Sequence, residues 1–328
     1  MNTDKHGPKQ MRPIDEDKSR VTGLIAAPFT ALNGDLSLNL PMVDRQARAL
    51  AERGVSGAFV CGTTGEGFSF TTAERLQIAE GWLAVAPQTL RVIVHVGHNS
   101  LAESRTLAAH AQQNKAYAIA TLAPTFFRPA RVEHLVDYCA QIAESAPELP
   151  FYYYHMPAMT GVEFSMHDFL KLGRDRIPNL AGIKFTHENL MEFSRCLDFE
   201  KGRFNMLFGR DEMLLGALAM GARGAVGSTY NYMAPVYVRM IELFHRGELE
   251  AARRVQCLAI RIIEVMSRRG GLAAGKAMMK MIGLDCGPVR PPLRNLTPEA
   301  EEALRVELEQ LGFPNVLKSA QQSLPNNA

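Results

Sequence analysis

The sequence predicts an α/β fold, a (β/α)8 TIM barrel followed by a C-terminal helical extension. Short β-branched or aromatic runs alternate with stretches whose apolar residues recur every three or four positions, as they do in strand–helix units. Eight such units follow one another, which is the number that closes a parallel barrel. The first strand ends in Ala27-Pro28-Phe29-Thr30, without the Gly-rich phosphate turn of a doubly wound open sheet. The barrel is therefore favoured over the open sheet.

The predicted strands are short and rich in β-branched and aromatic residues. In chain order they are Val21–Ala27, Gly57–Cys61, Arg91–Gly97, Ala116–Ala123, Phe151–Tyr154, Leu180–Phe185, Phe204–Phe208 and Gly224–Ser228. Helical stretches separate them. One begins at the capping-box pattern Thr71-Thr72-Ala73-Glu74 and continues with apolar residues at Leu76, Ala79 and Leu83.

Beyond the eighth strand the pattern is helical, with helices predicted over Val236–His245, Leu249–Arg268 and Leu272–Met281. This part reads as an extension packed on the barrel. The chain is therefore divided into a polar tail at 1–18, the barrel at 19–234, the helical extension at 235–313 and a second polar tail at 314–328.

Composition limits the classes of function. Hydrophobic residues make up 47% of the 328 residues and charged residues 21%, which is ordinary for a globular protein with a sizeable core. A formal net charge of +2 indicates neither a nucleic acid partner nor an anionic membrane surface. No apolar run approaches the roughly 20 residues that span a bilayer. Five scattered cysteines without a CxxC pair favour reduced thiols in a cytoplasmic protein over a disulfide framework or a zinc site.

Lys184 is the most informative residue, because it interrupts the otherwise apolar strand Leu180–Phe185. Burial of an ammonium group is costly, and it lowers the pKa of a lysine towards that of a neutral amine at physiological pH. A neutral amine in a pocket is a nucleophile suited to forming a Schiff base with a ketone. The alternatives are a lysine paired with a buried carboxylate, or one at a strand end with its head in water.

The second strand leads into Cys61-Gly62-Thr63-Thr64-Gly65-Glu66-Gly67, a loop suited to binding an anion. Glycines allow backbone amides to point at an anion, and the hydroxyls of Thr63 and Thr64 can add hydrogen bonds. The charge of Glu66 disfavours a phosphate, so we expect a carboxylate. The alternative is a Gly-rich turn capped by its own hydroxyls.

Three consecutive tyrosines in the fifth strand cannot all face the barrel interior, because side chains alternate along a strand. Tyr152 and Tyr154 share one face and Tyr153 takes the other. Tyr154 is the nearest of the three to the carboxyl end of the strand, where reactive residues of such barrels lie. Its phenol is a candidate for exchanging protons with a substrate hydroxyl.

The seventh and eighth strands also end in polar residues, Gly209-Arg210-Asp211-Glu212 and Ser228-Thr229. Adjacent acids that open a helix are often only favourable partners of its dipole, but at a barrel mouth they can accept hydrogen bonds from a polyol. His95 and His98 are spaced like metal ligands but lack an evident acidic partner, so ordinary loop or core histidines are preferred. Lys276, in the extension, is interpreted as solvated or structural.

Four segments together resemble the N-acetylneuraminate lyase branch of the pyruvate-dependent class I aldolases, a superfamily that also contains dihydrodipicolinate synthase. The resemblance covers residues 20–312, and its segments occur in the right order at strand ends. They are Gly62-Thr63-Thr64-Gly65-Glu66, Tyr154-His155-Met156-Pro157 with Thr160-Gly161, Gly182-Ile183-Lys184-Phe185-Thr186 and Gly227-Ser228-Thr229.

The resemblance implies a role for each matching residue. Lys184 corresponds to the Schiff-base lysine and Tyr154 to the tyrosine that exchanges protons. Thr63 and Thr64 correspond to the pair that holds the carboxylate of the pyruvyl group. The positions around the sugar chain of the substrate correspond to Thr186, Gly209, Asp211, Glu212 and Ser228.

The implied reaction is the reversible retro-aldol cleavage of sialic acid to pyruvate and N-acetylmannosamine. It requires no metal or organic cofactor beyond the covalent Schiff base. The partners are small-molecule substrates, with no nucleic acid or membrane, and the resemblance implies a homotetramer.

Two departures from the synthase pattern bear on the choice of branch. Dihydrodipicolinate synthases usually have an arginine, needed for a second carboxylate, where this chain has Met159. They also use a tyrosine in the loop after the fourth strand, where this chain has Phe126 and Phe127. Both differences weaken a synthase interpretation. An aldolase for a 2-keto-3-deoxy sugar acid and a non-catalytic barrel that binds a keto acid stay open as alternatives.

Overall fold

The computed structural model describes residues 20–313 and confirms the predicted barrel. Each strand pairs in parallel with the next, and β8 pairs with β1, so that the sheet is closed. The strands are β1 (Gly23–Ala26), β2 (Gly57–Val60), β3 (Arg91–His95), β4 (Ala118–Thr121), β5 (Phe151–His155), β6 (Leu180–Phe185), β7 (Asn205–Phe208) and β8 (Gly224–Gly227). The predicted tails at 1–18 and 314–328 lie outside the described residues.

Alternation of side chains along the strands produces two cores. The barrel interior holds a small cluster that includes Phe59, Tyr152 and Tyr154. A larger cluster between the strands and the surrounding helices includes Tyr153 and Ile183. These two clusters confirm that Tyr152 and Tyr154 share the inner face of the sheet. Alternate residues of each strand therefore point into the barrel interior.

The helices surround the sheet on its outer side. They are α1 (Pro41–Glu52), α2 (Thr72–Val85), α3 (Leu101–Gln113), α4 (Val132–Ala143), α5 (Pro157–Thr160), α6 (Met166–Arg176), α7 (Leu190–Asp198), α8 (Leu214–Ala219), α9 (Tyr230–His245), α10 (Leu249–Arg268), α11 (Leu272–Met281) and α12 (Pro298–Gln310). The predicted capping box at α2 is confirmed. The Thr71 hydroxyl accepts the Glu74 N–H at 3.2 Å, and the Glu74 carboxylate accepts the Thr71 N–H at 2.9 Å.

The extension begins with a helix that starts earlier than its sequence pattern indicates. α9 begins at Tyr230 and runs through Pro235, and Met233 within it has a non-helical φ of −123°. Proline lacks an N–H and disturbs the turn before it, which explains why only the residues from Val236 onward read as a regular helix. α10 and α11 have the predicted bounds, whereas the division into barrel and extension stays a prediction. Within residues 20–313, each helix is too short or too polar to cross a bilayer.

Candidate active site

Lys184 lies on β6 with its side chain inside the barrel. The residue is 4% exposed, and its Nζ is 3.9 Å from the ring centres of both Phe59 and Tyr154. Burial lowers the pKa of Lys184 to about 7, and the charge of Asp211 opposes this shift. At neutral pH a substantial share of the amine is therefore unprotonated and nucleophilic.

Tyr154 is the direct partner of Lys184 across the pairing of β5 with β6. Its phenol oxygen is 3.1 Å from the Thr63 hydroxyl oxygen, and the phenol O–H donates to the Met156 Sδ at 2.9 Å. Burial raises the pKa of Tyr154 to about 12, although the neighbouring hydroxyls of Thr63 and Thr186 lower it in part. Tyr154 is consequently a protonated phenol at neutral pH and can donate a proton beside the amine.

The loop after β2 folds tightly back on itself. The Gly67 N–H donates to the Gly62 carbonyl at 3.1 Å, and the Glu66 N–H donates to the Thr63 carbonyl at 3.0 Å. A side chain at position 67 would place its Cβ 1.9 Å from the Cys61 carbonyl oxygen, so only glycine is accommodated. Cys61 and Glu66 have φ values of 57° and 54°, a conformation that costs about 1–3 kcal/mol at each such residue.

This turn leaves hydrogen-bond donors for an anion. Thr64 is 8% exposed. The N–H groups of Thr63, Thr64 and Gly65 donate none of the hydrogen bonds found within residues 20–313. Consecutive backbone amides of one turn that lack an internal acceptor are available to an oxyanion such as a carboxylate.

The Glu66 side chain contacts two residues of the helical extension. Its Oε1 lies 2.9 Å from the Lys276 Nζ, and its Oε2 accepts the Arg290 N–H at 2.8 Å. The charge of Glu66, which the sequence analysis counts against a phosphate, is thus balanced within the protein. Lys276 is structural rather than solvated, because its side chain is only 3% exposed.

Thr186 and Gly209 follow β6 and β7 and lie against each other. Thr186 is buried, and its hydroxyl is close enough to Tyr154 to lower the pKa of that phenol in part. A Cβ at Gly209 would be 2.0 Å from the Thr186 Oγ1. The missing side chain at Gly209 therefore gives the Thr186 hydroxyl its position beside Tyr154.

Asp211 follows β7 and is 5% exposed. Its Oδ2 accepts two hydrogen bonds from Thr229, one from the N–H at 2.9 Å and one from the hydroxyl at 2.6 Å. Burial raises the pKa of Asp211 to about 6, although these bonds and the charge of Lys184 lower it in part. Thr229, to which the sequence analysis assigns no role, thus orients a carboxylate that acts electrostatically on the amine.

Glu212 and Ser228 occupy the same two strand ends but are more exposed than Asp211. Glu212 Oε1 lies 3.2 Å from the Arg210 Nε. The carbonyl of Ser228 accepts the Asn231 side-chain amide at 2.7 Å. Both residues lie just beyond the carboxyl ends of β7 and β8.

Two aromatic rings that sequence reasoning left without a role complete the site. The rings of Phe59 and His95 meet the Tyr154 ring edge-on, at centroid distances of 5.4 and 5.9 Å. The available signal for Phe59 was its inward register one residue before the last residue of β2. For His95, the inward position at the end of β3 was equally visible, but the sequence favoured an ordinary loop or core histidine and assigned it no part in the site.

The two histidines have separate local partners. His95 Nδ1 is 3.0 Å from the Cys61 carbonyl oxygen, and burial, followed by the charges of Arg75 and Lys184, holds the pKa of His95 well below its usual value. His98 Nδ1 accepts the Ser100 N–H at 2.9 Å. Residues 20–313 contain no group of three or more His, Cys, Asp or Glu side chains that could hold a metal ion.

Known proteins are similar to this chain over almost the whole of its described length. The model of the dihydrodipicolinate synthetase family matches residues 20–311. The chain is 40% identical over 301 residues to N-acetylneuraminate lyase of Mus musculus, covering 90% of this chain and 94% of that protein. It is 43% identical over 278 residues to N-acetylneuraminate lyase A of Xenopus laevis, covering 84% and 91% respectively. The solved structure of Proteus mirabilis N-acetylneuraminate lyase is 42% identical, with a TM-score of 0.87 over 90% of this chain and 99% of that one. The chain therefore belongs to the dihydrodipicolinate synthetase family.

Proposed function

We propose that the protein is a class I aldolase that cleaves N-acetylneuraminate reversibly to pyruvate and N-acetylmannosamine, through a Schiff base on Lys184. The observation that carries this proposal is the contact between the buried amine of Lys184 and the ring of Tyr154, at 3.9 Å. The names of relatives at 40% and 43% identity support the choice of substrate.

The first stage forms the imine. The neutral amine of Lys184 adds to the C2 ketone of the open-chain sugar acid, and the resulting carbinolamine takes up one proton from solvent and loses one water molecule to give a protonated Schiff base. The pKa of about 7 supports this step, because both the amine and the ammonium form are populated near neutral pH. The substrate carboxylate binds to the hydroxyls and N–H groups of Thr63 and Thr64, which turns the ketone towards Lys184.

The second stage breaks the C3–C4 bond. Its electron pair moves into a new C2–C3 double bond, the cationic imine becomes a neutral enamine, and the C4 hydroxyl becomes the aldehyde of N-acetylmannosamine. The hydroxyl proton passes through Tyr154 to the substrate carboxylate. A relay of this kind is favoured because burial raises the pKa of Tyr154 to about 12, too high for a resting phenolate. The enamine then takes up a proton at C3, and hydrolysis releases pyruvate and the free amine.

The remaining residues of the site bind the sugar chain in this proposal. Asp211 and Glu212 accept hydrogen bonds from hydroxyl groups, and Ser228 contributes a further hydroxyl. Thr186, placed against Gly209, contacts the carbon chain near the bond that breaks. A substrate without these hydroxyls loses the polar contacts, which would select against shorter keto acids.

A synthase or another keto-acid aldolase is the second candidate, since the matching family model carries the dihydrodipicolinate synthetase description. Synthase chemistry needs a cation for a second carboxylate, and Met159, which is 61% exposed, cannot supply it. Phe126 and Phe127, 78% and 85% exposed, likewise offer no phenol. Lyase chemistry on a sialic acid is therefore preferred to the synthase reaction.

We further propose that the protein works in the cytoplasm as a homotetramer and without an added metal or organic cofactor. Scattered cysteines support a reducing compartment, since four of them are buried as free thiols. The homotetramer is proposed from the resemblance to the N-acetylneuraminate lyase branch alone. Size-exclusion chromatography with light scattering measures the oligomeric state. Activity that persists after exhaustive chelation would show that no metal ion is required.

The experiment that tests the function measures pyruvate released from N-acetylneuraminate in a lactate dehydrogenase-coupled assay. We expect sustained release from the purified protein and none from the Lys184→Met variant. The same assay with 2-keto-3-deoxy sugar acids, and a condensation assay with pyruvate and an amino aldehyde, measure the rival activities. Activity confined to a rival substrate would move the assignment to that branch. Failure of pyruvate and borohydride to modify the protein would instead favour a non-catalytic keto-acid-binding barrel.

A further inference from the structure

A buried ion pair joins the helical extension to the loop after β2. Lys276 lies on α11, Glu66 lies in the loop, and their side chains are 3% and 1% exposed. Removing two charges from water costs free energy that their mutual attraction only partly offsets, so such pairs contribute little net stability compared with apolar residues of similar volume. Stability alone therefore does not account for this pair, and a role in specifying the loop conformation has to be considered.

Both partners of the pair are held by further contacts with the segment that follows α11. The Lys276 Nζ donates to the Pro288 carbonyl at 2.5 Å, and the Glu66 Oε2 accepts the Arg290 N–H at 2.8 Å. The Arg290 guanidinium donates in turn to the Ser69 carbonyl at 3.2 Å. The extension thus contacts the loop both at Glu66 and just beyond it.

The backbone of the loop depends on such a restraint. Glu66 has a left-handed φ of 54°, a conformation that a glutamate rarely adopts unless its surroundings impose it. Gly65, directly before it, has one of the N–H groups that lack an acceptor within the described part of the chain. The Glu66 N–H closes the turn by donating to the Thr63 carbonyl at 3.0 Å, so a change of backbone conformation at Glu66 would open the turn that carries the N–H groups of Thr63, Thr64 and Gly65.

We infer that Glu66 and Lys276 are positioning residues, which hold the backbone of Thr63, Thr64 and Gly65 in the conformation that binds the substrate carboxylate. The inference rests on the proposed function, since it assigns the loop the carboxylate of a keto acid. It gives the helical extension a part in the substrate site, with Lys276 on α11 acting through Glu66.

The test is imine trapping with pyruvate and borohydride, followed by intact mass spectrometry over a range of pyruvate concentrations. Glu66→Asp keeps the charge but is one methylene too short to reach both Lys276 and the Arg290 N–H. The double variant Glu66→Gln/Lys276→Met removes both charges, so that no unpaired charge is left buried. Lys280→Met is the matched control, because Lys280 is one turn further along α11 and pairs with Glu301 at the surface, at 3.3 Å.

We expect the pyruvate concentration for half-maximal trapping to rise by roughly tenfold or more in both variants, because the turn that carries the donors is no longer restrained. The rate at saturating pyruvate should stay within about threefold of the wild type, since Lys184 is untouched. The double variant should unfold close to the wild-type temperature and still bind pyruvate weakly. The control should match the wild type in both readouts.

An unchanged half-maximal concentration in Glu66→Asp and in the double variant would overturn the inference. A half-maximal pyruvate concentration that rises only in a variant with a lowered unfolding temperature would also overturn it, in favour of a purely structural pair. A wild-type protein that pyruvate and borohydride do not modify would overturn the proposed function itself, and the inference with it.

Discussion

Lys184 and Tyr154 occupy paired positions on neighbouring strands, and the Lys184 Nζ lies 3.9 Å from the centre of the Tyr154 ring. The hydroxyl of the same tyrosine is 3.1 Å from the Thr63 hydroxyl. One aromatic side chain thus shields the amine from water and also reaches the loop that we propose binds the carboxylate. Burial acts on both groups in the direction of neutrality, towards an amine on Lys184 and a phenol on Tyr154.

Replacement of Lys184 by methionine is expected to abolish turnover and to stabilise the fold. The pKa of Lys184 falls from 10.5 to about 7 on folding, so below pH 7 the folded state carries the full cost of a buried ammonium. That cost decreases as the pH rises from 7 towards 10.5, where only the unfolded chain still binds the proton. The gain at pH 6 should be on the order of 2–5 kcal/mol and smaller at pH 9, measured by urea unfolding beside Lys280→Met. A less stable variant at pH 6 would contradict this.

The Tyr154→Phe variant should separate the two stages of the reaction. The phenyl ring preserves the packing on Lys184, so imine formation with pyruvate should continue at a rate close to that of the wild type. Loss of the hydroxyl removes the proton relay, and turnover of N-acetylneuraminate should fall by about 10²–10⁴-fold. Borohydride trapping and the coupled assay measure the two stages separately. If trapping were lost as completely as turnover, Tyr154 would have to act in imine formation.

The rate of imine formation should rise with pH as Lys184 loses its proton. With a pKa of about 7, the neutral fraction and the trapping rate at pH 6 should be about one tenth of those on the plateau above pH 8. Asp211→Asn should shift the midpoint to lower pH, because the Asp211 carboxylate stabilises the ammonium form. Glu212→Gln, which changes a more exposed carboxylate, serves as the comparison. A midpoint that moved upward in Asp211→Asn would contradict the electrostatic role.

The Gly209→Ala variant tests the contact behind Thr186. The new Cβ would lie 2.0 Å from the Thr186 Oγ1, so the hydroxyl must leave its position beside Tyr154. We expect kcat/KM for N-acetylneuraminate to fall by about 10–100-fold. The unfolding temperature should also fall, because the new Cβ would lie 2.9 Å from the Thr186 Cβ and 3.0 Å from its Cα, so kcat/KM is compared well below that temperature. Gly34→Ala is the control, because a Cβ there meets no atom within 4 Å. Wild-type kinetics in Gly209→Ala would show that the Thr186 hydroxyl is dispensable.

Alternation and strand order made most of the architecture predictable. The inner position of Tyr154 follows from the two-residue period of a strand, and the proximity of Lys184 follows because consecutive strands of a barrel are neighbours. Both inferences needed only local sequence and one rule of topology. The roles assigned to these two residues stay predictions.

Contacts between distant segments were not predictable in this way. Glu66 and Lys276 each look like ordinary surface residues, since a charged side chain in a loop or helix is usually solvated. Their pairing depends on how α11 packs against the barrel, which no short pattern encodes. The bonds from Thr229 to Asp211 join the ends of two strands through a loop geometry, and that geometry is likewise invisible in the spacing of the residues.

The polar residues at the barrel mouth come from two separate sets of strands. The amine, the phenol and the threonine loop belong to β2, β5 and β6, whereas Asp211, Glu212 and Ser228 follow β7 and β8. If the first set handles the pyruvyl part and the second the aldehyde part, the two parts can vary independently. Libraries restricted to the ends of β7 and β8 should then yield catalysts for new aldehyde acceptors that retain pyruvate as the donor. Selection for altered sugar length would leave the chemistry of carbon–carbon bond formation in place.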